Sequence, residues 1–600
     1  MAGMQKLLRA SFGPGLVAAS LVVAVTAGAG RAAAADGTVE PASAEVGLST
    51  ATFGKSDDSP ERGEVLGEIA VDIRDGVSQI DIAQLAAHFG LSLRPNSSWS
   101  PAHDNLEVAE VDPLGEEAIL AELEKDPRVE HAERMALLRA TFVPDDPLYA
   151  DKQWHLRRVG AERAWNYTCG RGVTIAVIDT GVACFDKGPF SRGSDLVGTR
   201  CRGGWNFVAD SAEAYDDHGH GTHVAGTIAQ TTNNGIGTAG LAYCATLMPV
   251  KVLNKQGFGT VTNVAEGIRL AADDGAQVIN LSLGGPIRSR ILEDAVNHAL
   301  SKGVVVVAAA GNSGQKVGWP AAYAGVLAVS ATDDGDRIAW FSSRGSEISI
   351  AAPGVGVTQQ TVCNGGRDKC EIFRTFNGTS MASPHVAGVA AMIEALGVTR
   401  ASAVRDVLAA SARPMQGKDL FGSGIVDGGA AVWRVFWGHF VLRVAALAAL
   451  AWWLFKRGRP RRPLQAQRIA VVLAGALMAS TGLFPLAPLF ELEREGWVGT
   501  IAELAMRPLG EWDLLVGAGL HRWLLLASAL PVLALTAVGF GSRLRSFIGG
   551  VALGTTALLV QMTWSSDTAF VAGPWLALLW TAANALVTLW IARVALVHAH

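Results

Sequence analysis

Four short runs rich in Val, Ile and Ala constrain the fold more than anything else in this chain: GVTIAVIDTGV, ATLMPVKVL, AQVINLSLGG and GVVVVAAAGNSG. Each is too short to be a membrane span, and each lacks the alternation of a strand with one wet face. Stretches with helical spacing separate them, such as VTNVAEGIRLAADDG and SRILEDAVNHALSKG. A strand that is apolar on both sides must be covered on both sides. The pattern therefore predicts a parallel sheet flanked by helices over residues 141–430. In such sheets chemistry gathers beyond the carboxyl ends of the strands, so the polar residues that close these runs carry the interest.

Three stretches combine into one chemistry. VIDTGV ends a strand with Asp179, DDHGHGTHVAGT sets His220 ahead of a helical pattern, and FNGTSMASPHVAG sets Ser380 at the start of another. A serine hydroxyl is a poor nucleophile until an imidazole takes its proton. The imidazole in turn needs a carboxylate to fix its tautomer and stabilise its cation. The order Asp, His, Ser and the motifs around each residue closely resemble the subtilisin-like serine proteases (subtilases). The resemblance implies that Asp179 orients, His220 acts as general base and then acid, and Ser380 attacks. His218 and His223 flank the histidine that opens HGTH and are assigned structural roles.

The same resemblance extends to the rest of the site. AAAGNSG matches the family's oxyanion segment, which implies that Asn312 donates its side-chain amide together with the backbone N–H of Ser380. The groove that reads substrate backbone by strand addition would be walled by Ser282, Leu283 and Gly284 on one side and Gly257 and Gly259 on the other. Ala309, Ala310, Gly311 and Gly318 resemble the lining of the main specificity pocket, where small residues leave room for a large apolar side chain. No cofactor is required for the chemistry. Asp146, Asp195 and Asn234 resemble ligands of a structural calcium site, and oxygen donors suit calcium. An extra residue near Asn234 and an insertion at 183–193 depart from the family's spacing and leave that site open.

Ahead of the catalytic segment, residues 1–35 have a cationic start, an apolar stretch and an Ala-x-Ala pattern, the layout of a secretory signal peptide. Export makes the six Cys candidates for disulfides, with Cys363 and Cys370 able to close a short loop. Residues 36–62 read as a polar linker. Residues 63–140 read as a small α+β unit in the order β-α-β-β-α-β, the ferredoxin-like arrangement. By family resemblance this unit is an inhibitory propeptide, with cleavage between about Leu138 and Asp145.

From residue 431 to 600 the chain turns strongly apolar and holds 11 of its 17 Trp. Five stretches, about 435–455, 469–490, 522–540, 546–563 and 575–597, are expected to cross a membrane as an all-α region. An exported protease directs the first span from outside to inside. That puts Lys456, Arg457, Arg459, Arg461 and Arg462 in the cytoplasm, as the positive-inside rule requires. His439 and Arg443 fall within that first span and need a partner. One span suffices for a tether, so five leave room for a membrane-protein partner. The net charge of −5, without a basic stripe, excludes a nucleic-acid-binding reading. The expectation is a multi-pass, exported serine endopeptidase facing the periplasm or cell exterior, acting on proteins or peptides and held inactive by its own propeptide. The competing reading, a membrane protein whose protease-like domain binds peptides without cutting, is opposed by the complete triad.

Overall fold

The structure is a computed structural model that describes residues 64–97, 100, 105–136, 143–186, 190–362, 372–458, 466–490, 496–539, 544–571 and 573–597. The chain divides into two units, 1–138 and 139–600. The signal-peptide segment, the linker, Cys363 and Cys370, the expected cleavage region up to residue 142 and Arg459, Arg461 and Arg462 lie outside the described residues.

In the first unit, strands β1 (Glu64–Ile73), β2 (Arg94–Pro95), β3 (Leu106–Glu110) and β4 (Val129–Ala136) pair antiparallel in the order β2-β3-β1-β4. Helices Gln79–Phe89 and Glu116–Leu123 cover the sheet. Ser78 caps the first, accepting from the Asp81 N–H, and Gly90 closes it at φ 65°. The alternate residues Ile69, Val71 and Ile73 point into a core shared with Leu85 and Leu123.

The second unit is built on β5 (Thr174–Asp179), β6 (Arg200–Cys201), β7 (Trp205–Asn206), β8 (Thr246–Lys251), β9 (Val278–Leu281), β10 (Val305–Ala309), β11 (Leu327–Thr332) and β12 (Ile348–Pro353). They run parallel in the order β12-β11-β10-β9-β5-β8-β6, and β7 also pairs with β8. β5 shows why the runs lack alternation. Ile175 and Val177 enter one hydrophobic core and Ala176 and Ile178 the other, one on each side of the sheet. Disulfides join Cys169 to Cys244 and Cys184 to Cys201.

Beyond residue 428, three described helices are long and apolar enough to cross a membrane: Gly428–Leu454, Arg545–Ser565 and Pro574–Leu596. The other two expected spans contain only shorter apolar helices, Arg468–Ser480 and Leu530–Gly539. The first of these stops where Thr481 and Gly482 both bond back to the Leu477 carbonyl, with Gly482 at φ 93°. The other begins only at Leu530, after Leu524 turns to φ 51°. Apolar composition made both stretches look continuous, while their turn residues interrupt them. Arg545–Ser565 is the buried helix of the group. A first side-chain carbon at Gly550 would sit 2.1 Å from the Val472 carbonyl oxygen, and one at Gly554 2.2 Å from that of Ala476. Small residues thus let two backbones touch.

Arg443, an isolated cation in the sequence, is buried and partnered. It donates to both carboxylate oxygens of Glu511 and, at 2.9 Å, to Gln561 Oε1. His439 meets Asp567 at 2.7 Å.

Replacing Ile178 by Ala would open a hole against a sheet that cannot collapse around it. The expected loss is about 2–5 kcal/mol, read as a lowered unfolding midpoint of the purified protein.

Candidate active site

Asp179 is the last residue of β5 and fully buried. Its Oδ1 accepts from the Thr180 N–H at 2.7 Å and lies 2.7 Å from His220 Nδ1. His220 opens the helix His220–Ala229. Burial works against its imidazolium, but the Asp179 charge and hydrogen bond outweigh burial and hold the ring above its ordinary pKa.

Ser380 is the second residue of the helix Thr379–Ala395. Its hydroxyl donates to the Ser282 carbonyl at 3.1 Å, and Ser282 Oγ returns a bond to the Ser380 carbonyl at 2.7 Å. Ser282 is therefore more than a groove wall. With Asn280 and Ser383 it forms a buried polar network under the start of this helix. Among the described hydrogen bonds none joins Ser380 to His220, although both line the same cleft.

Asn312 follows β10. Its Oδ1 accepts from the Thr379 N–H at 2.8 Å and the Thr379 hydroxyl at 2.9 Å. Since a backbone N–H can only donate, the amide oxygen must face Thr379, which leaves Nδ2 for the cleft that Asn312 lines. The cleft has a volume of about 820 Å³. Gly257, Gly259, Ser282, Leu283, Gly284, Ala309, Ala310, Gly311 and Gly318 all line it, with the exposed Phe258 and Ile287 at its mouth. Gly259 has no room for a side chain, because its first carbon would lie 2.3 Å from the Val252 carbonyl oxygen.

The model of the Subtilase family matches residues 170–427. A thermophilic serine proteinase from Bacillus sp. (strain AK1) is 39% identical over 363 residues, covering 60% of this chain and 86% of the relative. Thermitase from Thermoactinomyces vulgaris is 42% identical over 257 residues, covering 43% and 87%. The chain belongs to the subtilase family. Subtilisin Savinase from Lederbergia lenta matches at 43% over 281 residues, 46% of this chain and 97% of that one. This subtilase is a serine endopeptidase of the subtilisin type that needs no cofactor for catalysis, and its family match ends just before the first long apolar helix.

The residues named as calcium ligands lie together. Asp195 Oδ1 accepts from Asn234 Nδ2 at 2.8 Å, and Oδ2 from the Thr238 N–H at 2.9 Å. Asp146 Oδ2 accepts from the Asn233 N–H, while its Oδ1 is buried without a partner. Burial, aided by the Asp146 charge, pushes the Asp195 carboxyl up to about 7. Two buried carboxylates that repel one another fit a hard cation. In this structure the Asn234 nitrogen faces Asp195 and its oxygen accepts from the Ile236 N–H. Among the described residues no cluster of three His, Cys, Asp or Glu forms a metal site.

His223 is buried and pushed down to about 3 by burial, with Nε2 donating to backbone carbonyls of Val357 and Arg374. His218 lines the cleft and accepts from the His220 N–H at 3.3 Å. Sequence reading passed over Asp216. This buried carboxylate accepts from the Thr180 hydroxyl, the N–H groups of His218, Gly219 and Thr222, and the Thr222 hydroxyl. It shapes the turn that delivers His220. The only signal was an acid inside DDHGHGTH. Lys251 is pinned nearby, its Nζ donating to Asp217 and to the carbonyls of Thr180 and Leu253.

Asp216→Ala would strand five donors at once. It is expected to cost at least about 2 kcal/mol and to lower the unfolding midpoint of the full chain.

Proposed function

We propose that this subtilase is a membrane-tethered, exported endopeptidase made as a self-inhibited precursor, with Asp179, His220 and Ser380 as its catalytic triad. The observation that carries this reading is the 2.7 Å Asp179–His220 bond, set at one cleft with Ser380 and Asn312. A rotation about Ser380 χ1 takes its hydroxyl from the Ser282 carbonyl toward His220 Nε2. Ser380 Oγ then attacks the scissile carbonyl as Nε2 takes its proton, and Asp179 stabilises the imidazolium. Asn312 Nδ2 and the Ser380 N–H donate to the oxyanion, and the N-terminal helix dipole behind them favours the same charge. His220 returns the proton to the leaving amine, and water clears the acyl-enzyme by the same route reversed. Substrate lies extended between the Ser282–Gly284 and Gly257–Gly259 walls, its main side chain among Ala309, Ala310, Gly311 and Gly318.

Supporting the precursor reading is the strand order β2-β3-β1-β4 with two covering helices, which is the ferredoxin-like arrangement. Supporting the tether are the three long apolar helices, with Lys456 just past the end of the first. By the positive-inside rule, a cationic stop after that helix would set its end in the cytoplasm and the protease outside. Asp146 and Asp195 would hold a calcium ion, whose charge offsets the repulsion between them.

Four experiments test these assignments. A fluorophosphonate probe should label the wild type and not Ser380→Ala, and mass spectrometry should find residues 37–140 removed only in the wild type. Equal labelling of both proteins contradicts the triad, and a wild type that keeps the segment contradicts the precursor. Because His220 must be neutral to accept a proton, the acid limb of kcat/KM should lie above pH about 6.5. In Asp179→Asn the charge that raises it is gone, so the limb should move to lower pH while kcat falls about 10⁴-fold. Finally, the folded Asp195 carboxyl titrates above its unfolded value, so the folded state holds the extra proton. Stability of the chelated protein should therefore fall as pH rises from about 4 towards about 7. Added calcium should restore it, and Asp195→Asn should abolish the calcium response.

A further inference from the structure

A small buried cavity lies where the end of the Ser380 helix meets the apolar C-terminal helices. Its walls include Leu396, Phe436 and Met506, and its polar lining comprises His439, Arg443, Thr481, Arg507 and Glu511. Three of these groups have partners already described: both oxygens of Glu511 go to Arg443, and His439 pairs with Asp567. The nearby Glu503 pairs with Arg171. Arg507 is left over. It is 4% exposed, and its Nη1 donates to the Ala395 carbonyl at the last turn of the Ser380 helix. Its Nε and Nη2 are buried with no hydrogen-bond partner.

A guanidinium does not shed its proton in a protein, so Arg507 cannot escape burial by neutralising. The Glu503 and Glu511 charges act on it but are engaged by Arg171 and Arg443, which repel it, so two of its donors stay buried without hydrogen bonds, a costly state. Glu394, next in the chain to Ala395, offers no relief, since burial pushes its carboxyl up to about 8 and the charge that acts on it is that of Arg522. The geometry of the free donors is specific. Nε and Nη2 lie on one edge of the guanidinium and present two parallel N–H bonds, the fork that an oxyanion accepts with two oxygens. The cavity, about 30 Å³, has room for roughly two water-sized groups, which matches the two oxygens of one such anion.

We propose that this cavity is an anion site that takes one oxyanion, a carboxylate or phosphate group, held side-on by Arg507 beneath the end of the Ser380 helix. The group comes either from a free anion or from the headgroup of an anionic lipid. The site does not depend on the peptidase assignment, and loss of activity would not bear on it.

The test uses full-length Ser380→Ala protein, which cannot digest itself, in nanodiscs of zwitterionic lipid. Its unfolding midpoint is followed against acetate, phosphate or chloride at constant ionic strength, and then against phosphatidylglycerol added to the disc. A rise with acetate or phosphate identifies a free anion, and a rise only with phosphatidylglycerol identifies a headgroup; either supports the site. The apparent affinity should weaken about tenfold or more in Arg507→Met, and also in Thr481→Met, which narrows the cavity without touching a charge. Should Arg507→Met fail to fold, Thr481→Met decides. No rise from either source, an equal rise with chloride, or an undiminished response in Thr481→Met overturns the proposal.

Discussion

The hydrogen bond between Asp179 and His220 is the constraint on which the rest of the catalytic unit depends. It ties the last residue of a fully buried strand to the first residue of a helix, so strand burial sets the position of the carboxylate. A buried carboxylate is tolerable only when its charge is used, and here the imidazole and the Thr180 N–H use it. The cores on either side of β5 keep the strand from moving, and Asp216 keeps the helix start from moving. Precision at the cleft is thus inherited from packing several residues away.

The C-terminal region follows the same logic in an apolar setting. Arg443, Glu511, His439 and Asp567 would each be costly alone, and they meet as pairs across the C-terminal region. Further bonds cross to the protease lobe. Arg522 donates to the carbonyls of Lys302 and Gly303, the Ala569 N–H to the Thr399 hydroxyl, and Arg507 to the Ala395 carbonyl. The last of these reaches the far end of the helix that begins at Ser380. A bare tether would not require contacts there, and they make the helical region part of the fold that carries the protease.

Legibility varied with how local each signal was. The parallel sheet was readable because a strand covered on both faces has no polar alternation, and the catalytic candidates because one closes such a run and the other two open helical patterns within short motifs. Asn312 and the nine groove residues were readable through motif resemblance, and all of them line one cleft. Asp216 was not readable, because five donors converge on it only after the chain folds. The apolar stretches at 469–490 and 522–540 misled because hydropathy averages over turns. Gly482 and Leu524 adopt positive φ and interrupt what composition alone made continuous.

By itself the sequence determined the α/β class of the family domain, the order of the candidate catalytic residues and the family, since periodicity and short motifs are properties of neighbouring residues. Tertiary structure alone decided that Asn234 turns its nitrogen to Asp195, that Ser282 belongs to a buried network, and that Arg443 has a partner while Arg507 keeps two free donors. Those outcomes depend on which distant groups share a low-dielectric space, and hydrogen bonds and ion pairs are made across space rather than along the chain.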